Sequence, residues 1–427
     1  MLWDIPAPTF AHLDTDICCD VLVIGGGMAG MLCAHFLTQK GLDTVLVEGG
    51  AIGGGVTRKT TAVITAQHDT LYSQLIQQNG KQAAQHYLDA NLWAVQEFRN
   101  LSKTIACDFE DKPSVMYTKE DTAKMQAEQA ALATLGFAAD FISTSPLPFT
   151  IKGAVRFPNM GQLHPIKLLY GIAKGLRIYE NTFITHINKQ TAQTRDGHRI
   201  TANAIVVATH FPFINRSGLY FMKQYQMRSY VLALENACTL DGTYVDEGEG
   251  LYFRNYGPYL LVGGGDRRTG KGCGFAMLRA FAKQYYPNAK EAFAFATQDC
   301  MSLDGMPYIG PYGKLLPHTF VATGFNEWGM TTSMLAAKIL CDTISGEENE
   351  WASTFRPQRS MLHKQLFVNL GETLVSFAKP TAKRCSHLGC ALTYNPQEGS
   401  YDCACHGSRF AQDGTVLENP AMRNGHV

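Results

Sequence analysis

The stretch "CDVLVIGGGMAGMLCAHFLTQKGLDTVLVEGG", Cys19 to Gly50, constrains the fold more than any other part of the chain. A continuous apolar run, Val21 to Ile24, turns at a glycine cluster. Met31, Leu32, Ala34 and Phe36 follow at helical spacing, and a second apolar run, Val45 to Val47, ends in Glu48. The order is strand, glycine turn, helix, strand, and Gly25, Gly27 and Gly30 stand in G-x-G-x-x-G register. The first glycine makes the tight turn, the second admits a pyrophosphate against backbone, and the third lets the helix pack on the strand. The helix start offers unpaired N–H groups to phosphates, and Glu48 stands where a carboxylate accepts hydrogen bonds from a ribose. The pattern predicts a Rossmann-like dinucleotide site and leaves NAD and FAD both open.

Of 427 residues, 45% are hydrophobic and 17% charged, enough to bury a sizeable core in two or three domains. With 37 basic and 37 acidic side chains the net charge is +0, so no bulk charge argues for nucleic acid or an anionic membrane as partner. No apolar run approaches the ~20 residues that span a bilayer, and "MLWDIPAPTFAHLDTD" lacks the pattern of a signal peptide, so the expected location is cytoplasmic. Of twelve cysteines, eight are scattered and four lie in one C-terminal stretch.

Six segments follow in order: Glu48–Asp69, Gly161–Ala173, Ile200–His210, Tyr252–Asp266, Asp304–Pro311 and Phe320–Leu340. Together they resemble the D-amino-acid-oxidase-like family of FAD-dependent oxidoreductases, which includes glycine oxidase and sarcosine oxidase, over roughly residues 17 to 350. The resemblance implies an α/β (α+β) architecture, in which a Rossmann-like FAD-binding domain (about 17–80, 150–215 and 300–350) carries an inserted antiparallel-sheet substrate domain (about 81–149 and 216–299). It places the loop Gly53–Thr61 beside the flavin, including Lys59, Thr60 and Thr61. Where relatives read Gly-Arg-Thr-Thr, this chain reads Arg58-Lys59-Thr60-Thr61. Ile184 matches the adenine-holding backbone, and Ala208 and Thr209 the strand end over the dinucleotide. Gly324, Gly329, Met330 and Thr331 match the strand-to-helix turn whose N–H groups face the flavin N1/O2 edge, where negative charge develops on reduction. Arg254 matches a pocket region where a guanidinium binds a substrate carboxylate, and Tyr252, Trp328, His68 and Tyr308 are expected over the flavin ring.

The C-terminal stretch "CSHLGCALTYNPQEGSYDCACHGSRF" holds Cys385-x-His387 and Cys403-x-x-His406. Two thiolates and two imidazoles on two loops suit either a [2Fe–2S] cluster or zinc, although zinc knuckles normally pair ligands of one type. The text around them, "CSHLGC" and "CACHGS", resembles the cluster loops of Rieske proteins. That resemblance makes Cys385, His387, Cys403 and His406 the ligands and Cys390–Cys405 a disulfide. Ala404 stands where the family has proline, Ser408 is retained, and Phe410 replaces a tyrosine of high-potential members, which implies a low-to-middle potential. With residues 351–378 as connector, the Rieske domain (379–427) is short and is expected to lean on the flavoprotein or on a second subunit.

These readings converge on an oxidoreductase that moves hydride from a small amine or amino-acid-like substrate to FAD and passes electrons through the cluster to an acceptor protein or quinone-like carrier. The alternative is a flavin and iron–sulfur carrier or redox sensor without turnover. A Rieske-type oxygenase is disfavoured, because no second His/carboxylate iron site is evident.

Overall fold

The computed structural model describes residues 2–215 and 217–427. Three sheets organise the chain, and each answers to a different sequence pattern.

The first has eight strands. Its path runs Tyr308–Gly313, Leu316–Thr323, Arg199–Val207, Ile17–Ile24, Thr44–Val47, Arg177–Tyr179, with the hairpin Ile184–Asn188 and Thr191–Thr194 attached to Arg199–Val207. From Leu316–Thr323 to Arg177–Tyr179 the pairing is parallel; Val21 stands opposite Ala204 on one side and Thr44 on the other. Val21, Leu22 and Val23 are fully buried, as a strand covered on both faces must be, which is why the sequence shows a continuous apolar run there rather than alternation. The helices Met28–Gln39 and Gly329–Ser345 pack together against this sheet and bring their N-termini to its carboxyl edge.

The second sheet has nine strands and is antiparallel except where Thr243–Asp246 runs parallel to Glu110–Thr118. Its path is Lys290–Met301, Tyr225–Glu235, Tyr259–Arg268, Tyr252–Tyr256, Thr243–Asp246, Glu110–Thr118, Gly153–Gln162, Val63–Ile64. Two of these strands lie outside the expected substrate segments. Gly153–Gln162 pairs along most of Glu110–Thr118, and Val63–Ile64 closes on Gly161 and Gln162. The bounds 150–215 and 17–80 therefore each give one strand to the second sheet, because cross-strand pairing rather than sequence proximity decides membership.

The third sheet is small: Leu392–Asn395, Ser400–Cys403, Arg409–Phe410, Val416–Glu418. Its core is Cys385, Cys390, Leu392, Cys403, Cys405, Phe410 and Ala421, too little apolar area for a separate domain of this size. The helix Lys364–Ala378 belongs to this lobe rather than to a connector, since its Ser376 Oγ accepts the Ala391 N–H at 2.9 Å. The lobe leans on the second sheet through buried charge. Arg228, 3% exposed, donates to Glu398 Oε2 at 2.6 Å and to Glu418 Oε2 at 3.1 Å. Arg268 donates to the carbonyls of Ala404 at 2.7 Å and Cys405 at 3.0 Å and to Asn369 Oδ1 at 2.9 Å.

Truncating Arg228 would take one cation from each of two buried carboxylates, leaving Glu398 with Arg409 and Glu418 with Arg409 and Lys59, a loss below the roughly 3–5 kcal/mol of a wholly unpaired buried charge. Arg228→Ala is therefore expected to release the lobe, seen as new protease cleavage in the Pro357 segment and a separate, earlier unfolding step for residues beyond it.

Candidate functional site

A cavity of ≈ 1460 Å³ opens between the first two sheets, larger than the roughly 300–1,000 Å³ of a typical small-molecule site and so roomy enough for a dinucleotide and a substrate together. At one end lies the glycine turn. Gly25 has φ +112, and a Cβ there would fall 2.5 Å from the Ala208 carbonyl oxygen. A Cβ on Gly30 would fall 1.9 Å from the Gly25 oxygen; this glycine packs helix on strand and does not reach the cavity, whereas Gly27 lines it. Glu48 also lines the cavity, its two carboxylate oxygens accepting from the N–H groups of Gly26 at 2.7 Å and Gly50 at 2.8 Å. Burial raises its pKa despite these donors. Ile184, Ala208 and Thr209 form the wall beside it, and Lys59, Thr60 and Thr61 the opposite loop. A cradle that a single methyl would fill, ending at a helix N-terminus, fits a dinucleotide.

The strand-to-helix turn contributes Gly324, Gly329 and Met330 to the cavity. Thr331 instead points inward, donating to the Thr65 carbonyl at 3.1 Å and meeting His68 Nε2 at 3.1 Å. His68 sits behind the wall: its Nδ1 meets the Tyr87 hydroxyl at 2.7 Å and its ring stacks on Trp328 at 4.7 Å. Burial lowers its pKa to about 3, so it is a neutral packing group behind Trp328. Tyr308 is likewise buried away from the cavity, under the Arg359 guanidinium. Tyr252 and Trp328 do line it.

Arg254 is fully buried and committed: Nη1 donates to the carbonyls of Thr61 and of Ala62, the latter at 3.0 Å, and the guanidinium lies over the rings of Trp3 and Tyr256. Burial lowers its pKa to about 9. It anchors the end of the loop 53–61, leaving only Nη2 without a hydrogen-bond partner among the described residues. Of the offset pair, Arg58 turns away to Tyr170 at 2.7 Å, and Lys59 reaches Glu418 of the C-terminal lobe at 2.9 Å.

The sequence reading passed over a set of acids at this end of the cavity: Asp69, Asp246, Asp266, Asp299 and Glu327. Three of them fall in segments already singled out, in "AQHD", "GGGD" and "FNEWG", so the signal was one of position relative to motifs.

In the C-terminal lobe two loops share one backbone pattern. The N–H of Gly389 donates to the Cys385 carbonyl and that of Gly407 to the Cys403 carbonyl, each at 2.9 Å, and both glycines have positive φ, 81° and 86°. The loops bring the rings of His387 and His406 to 5.0 Å, mutually perpendicular. Both Nδ1 atoms are buried and lack hydrogen-bond partners among the described residues, while His387 Nε2 is held by Asn215 Oδ1 at 3.1 Å. Burial lowers both imidazoles, to about 3 for His387 and about 4 for His406, so each presents a neutral, unused nitrogen. Cys385 and Cys403 hydrogen-bond to each other through sulfur. The sulfurs of Cys390, Cys403 and Cys405 lie within 4.8 Å of one another. All four cysteines are free thiols, so the Cys390–Cys405 disulfide is not formed here, though its two sulfurs are close. Two thiols and two orphaned imidazole nitrogens, on loops whose histidine rings are 5.0 Å apart, fit a [2Fe–2S] cluster with mixed ligation.

Cluster loops and cavity share a wall. Gln226 Nε2 donates to the His406 carbonyl at 2.8 Å, and Gln298 Nε2 to that of Gly407 at 2.9 Å. Asn419 Nδ2 donates to the carbonyl of Thr209, which lines the cavity. Phe211 lies 6.3 Å from each histidine ring. Burial pushes the Glu418 carboxyl up, but Arg228, Lys59 and Arg409 together outweigh this and hold it well below the usual range. A folded pKa below the unfolded value means stability that is complete above about pH 4.3 and lost as pH falls toward the folded value. Below about pH 4.3 the lobe should loosen, and Glu418→Gln should lower stability at neutral pH while flattening that acid dependence; thermal melts across pH check both.

Residues 20–343 match the family model described as FAD dependent oxidoreductase, DAO, and residues 358–426 match that of the Rieske [2Fe-2S] domain. The putative Rieske 2Fe-2S iron-sulfur protein YhfW of Bacillus subtilis is 30% identical, with 97% of this chain and 94% of that protein covered. The gamma-glutamylputrescine oxidoreductase of Escherichia coli is 24% identical over 47% of this chain and 50% of its own length. Glycine oxidase from Geobacillus kaustophilus superposes with a TM-score of 0.67 at 18% identity, covering 81% of this chain and 99% of that one. No helix among the described residues is long and apolar enough to cross a membrane. The FAD cradle, the mixed cysteine–histidine loops and these matches together place the chain in the DAO family of FAD-dependent oxidoreductases, with a Rieske [2Fe–2S] domain at its C-terminal end.

Proposed function

We propose that the protein is a dehydrogenase that oxidises a C–N bond of a small amine or amino-acid-like substrate and sends the electrons through its Rieske cluster to an external carrier. The observation that carries this reading is the shared wall: Glu418, Asn419 and Ala421 of the cluster lobe line the same cavity as Gly25, Gly27 and Met330. FAD held at Gly25, Gly27 and Glu48 would supply a hydride acceptor for the substrate's α C–H as its C=N bond forms, and a [2Fe–2S] cluster held by Cys385, His387, Cys403 and His406 would supply one-electron transfer.

The chain's own residues do the rest. The helix Gly329–Ser345 presents unpaired N–H groups and a positive dipole end to the cavity, suited to hold negative charge. Arg254 fixes the loop 53–61 through its Thr61 and Ala62 carbonyls, and Lys59 ties that loop to the cluster lobe. Tyr252 and Trp328 wall off the substrate end, Trp328 braced from behind by His68. The glycine oxidase fold and the amine-oxidising name of the E. coli relative support the substrate class.

Anaerobic mixing with amines and amino acids tests the reading: a substrate should bleach the flavin absorbance and then raise the signal of the reduced cluster. Cys403→Ser should keep the bleaching and lose both the cluster signal and reduction of an added one-electron acceptor. Silence toward every amine and amino acid would overturn the dehydrogenase and favour a carrier. Phe410 is fully buried in the cluster lobe's small core. Redox titration should place the cluster in the lower or middle part of about −150 to +300 mV, and Phe410→Tyr, which supplies a donor, should raise it.

A further inference from the structure

This inference rests on the amine-oxidising reading and specifies its substrate. The end of the cavity away from the glycine turn is rich in acids, and not all of them have cations. Among the described cationic groups lining the cavity, Lys119 pairs with Glu249 at 2.5 Å and Asp246 at 3.7 Å. Lys59 is held by Glu418, and Arg254 Nη1 by two carbonyls, its Nη2 having no hydrogen-bond partner among the described residues. Arg267 lies near Asp266, and Arg195 stacks on Phe183 at the dinucleotide end. Asp299 and Glu327 have no ion pair among the described residues.

Asp299 is the most telling. On the strand Lys290–Met301 its neighbour Gln298 turns toward the cluster lobe, donating to the Gly407 carbonyl at 2.9 Å. Strand alternation puts Asp299 and Thr297 on the face opposite Gln298, and the cavity is lined by Thr297 through Cys300. Asp299 is only 9% exposed and makes no hydrogen bond among the described residues; the Thr297 hydroxyl is buried without a partner as well. Asp69, held by the Trp328 indole N–H, and Glu327 are exposed and line the cavity, and both sit at positive φ, 50° and 72°. Desolvation raises all three carboxyls, Asp69 to about 6 and Asp299 to about 7, and repulsion from Asp266 adds to each. A buried carboxylate without a partner is costly, and a ligand that brings the missing positive charge recovers that cost.

We propose that this end of the cavity selects an alkyl diamine: a substrate with a second ammonium, held by Asp299 and Glu327 while the other nitrogen reacts, and with no free carboxylate. A carboxylate here would face three acids, whereas an ammonium gains charge-assisted hydrogen bonds from each.

The test uses the holoenzyme with 1,4-diaminobutane as probe, butylamine as the single-charge control, and glycine, N-methylglycine and L-proline as carboxylate controls. Calorimetric binding should favour 1,4-diaminobutane over butylamine by about tenfold or more, and Asp299→Asn and Glu327→Gln should each remove that preference, with FAD content unchanged. With no ligand present, Asp299→Asn should melt no lower than the wild type, since it removes repulsion rather than a contact. Diaminobutane binding that ignores both substitutions, or tighter binding of the carboxylate controls, overturns the proposal. Tight, Asp299-dependent binding without flavin bleaching would uphold it while sinking the dehydrogenase reading.

Discussion

The buried ion pairs around Arg228 hold the molecule's two redox parts in one piece. Arg228 lies between Glu398 and Glu418, Arg409 adds contacts at 3.3 and 3.4 Å to the same two acids, and Lys59 reaches Glu418 from the flavin loop. Such a network is weak evidence of net stability, because desolvation offsets much of the attraction. Its value is registration. A lobe whose own core is a handful of cysteines and small apolar residues cannot fix its orientation by packing, and the charges do so against the face that closes the cavity.

This explains the departure at Lys59. Lys59 leaves the loop and ends on the cluster lobe, while Arg58 retreats to Tyr170 and Asp4. The loop between glycine turn and substrate end is thus pinned twice, by Arg254 from the second sheet and by Lys59 from the lobe. Gln226 and Gln298 complete the seam by meeting the His406 and Gly407 carbonyls, so the backbone that presents one cluster histidine is oriented by the flavoprotein itself.

What the sequence made legible was local. Gly25, Gly27 and Gly30 announce a turn because the steric demand falls within six residues, and Cys385, His387, Cys403 and His406 stand out because two short loops carry the whole ligand set. What it hid depends on partners far along the chain. That Arg254 serves carbonyls of residues 61 and 62, that His68 lies behind Trp328 rather than over the flavin, and that Gly153–Gln162 joins the second sheet all follow from pairings across roughly 40 to 260 positions. The acids were visible singly but not as a group, because Asp69, Asp266, Asp299 and Glu327 meet only once both large sheets are in place.

In the proposed function, flavin and cluster form one electron path within a single chain. Flash photoreduction of the flavin under anaerobic conditions, with cluster reduction followed in time, tests it most directly. A first-order transfer is expected, with a rate independent of protein concentration that collapses in Arg228→Ala. A rate proportional to protein concentration, or one indifferent to the loss of Arg228, would contradict it.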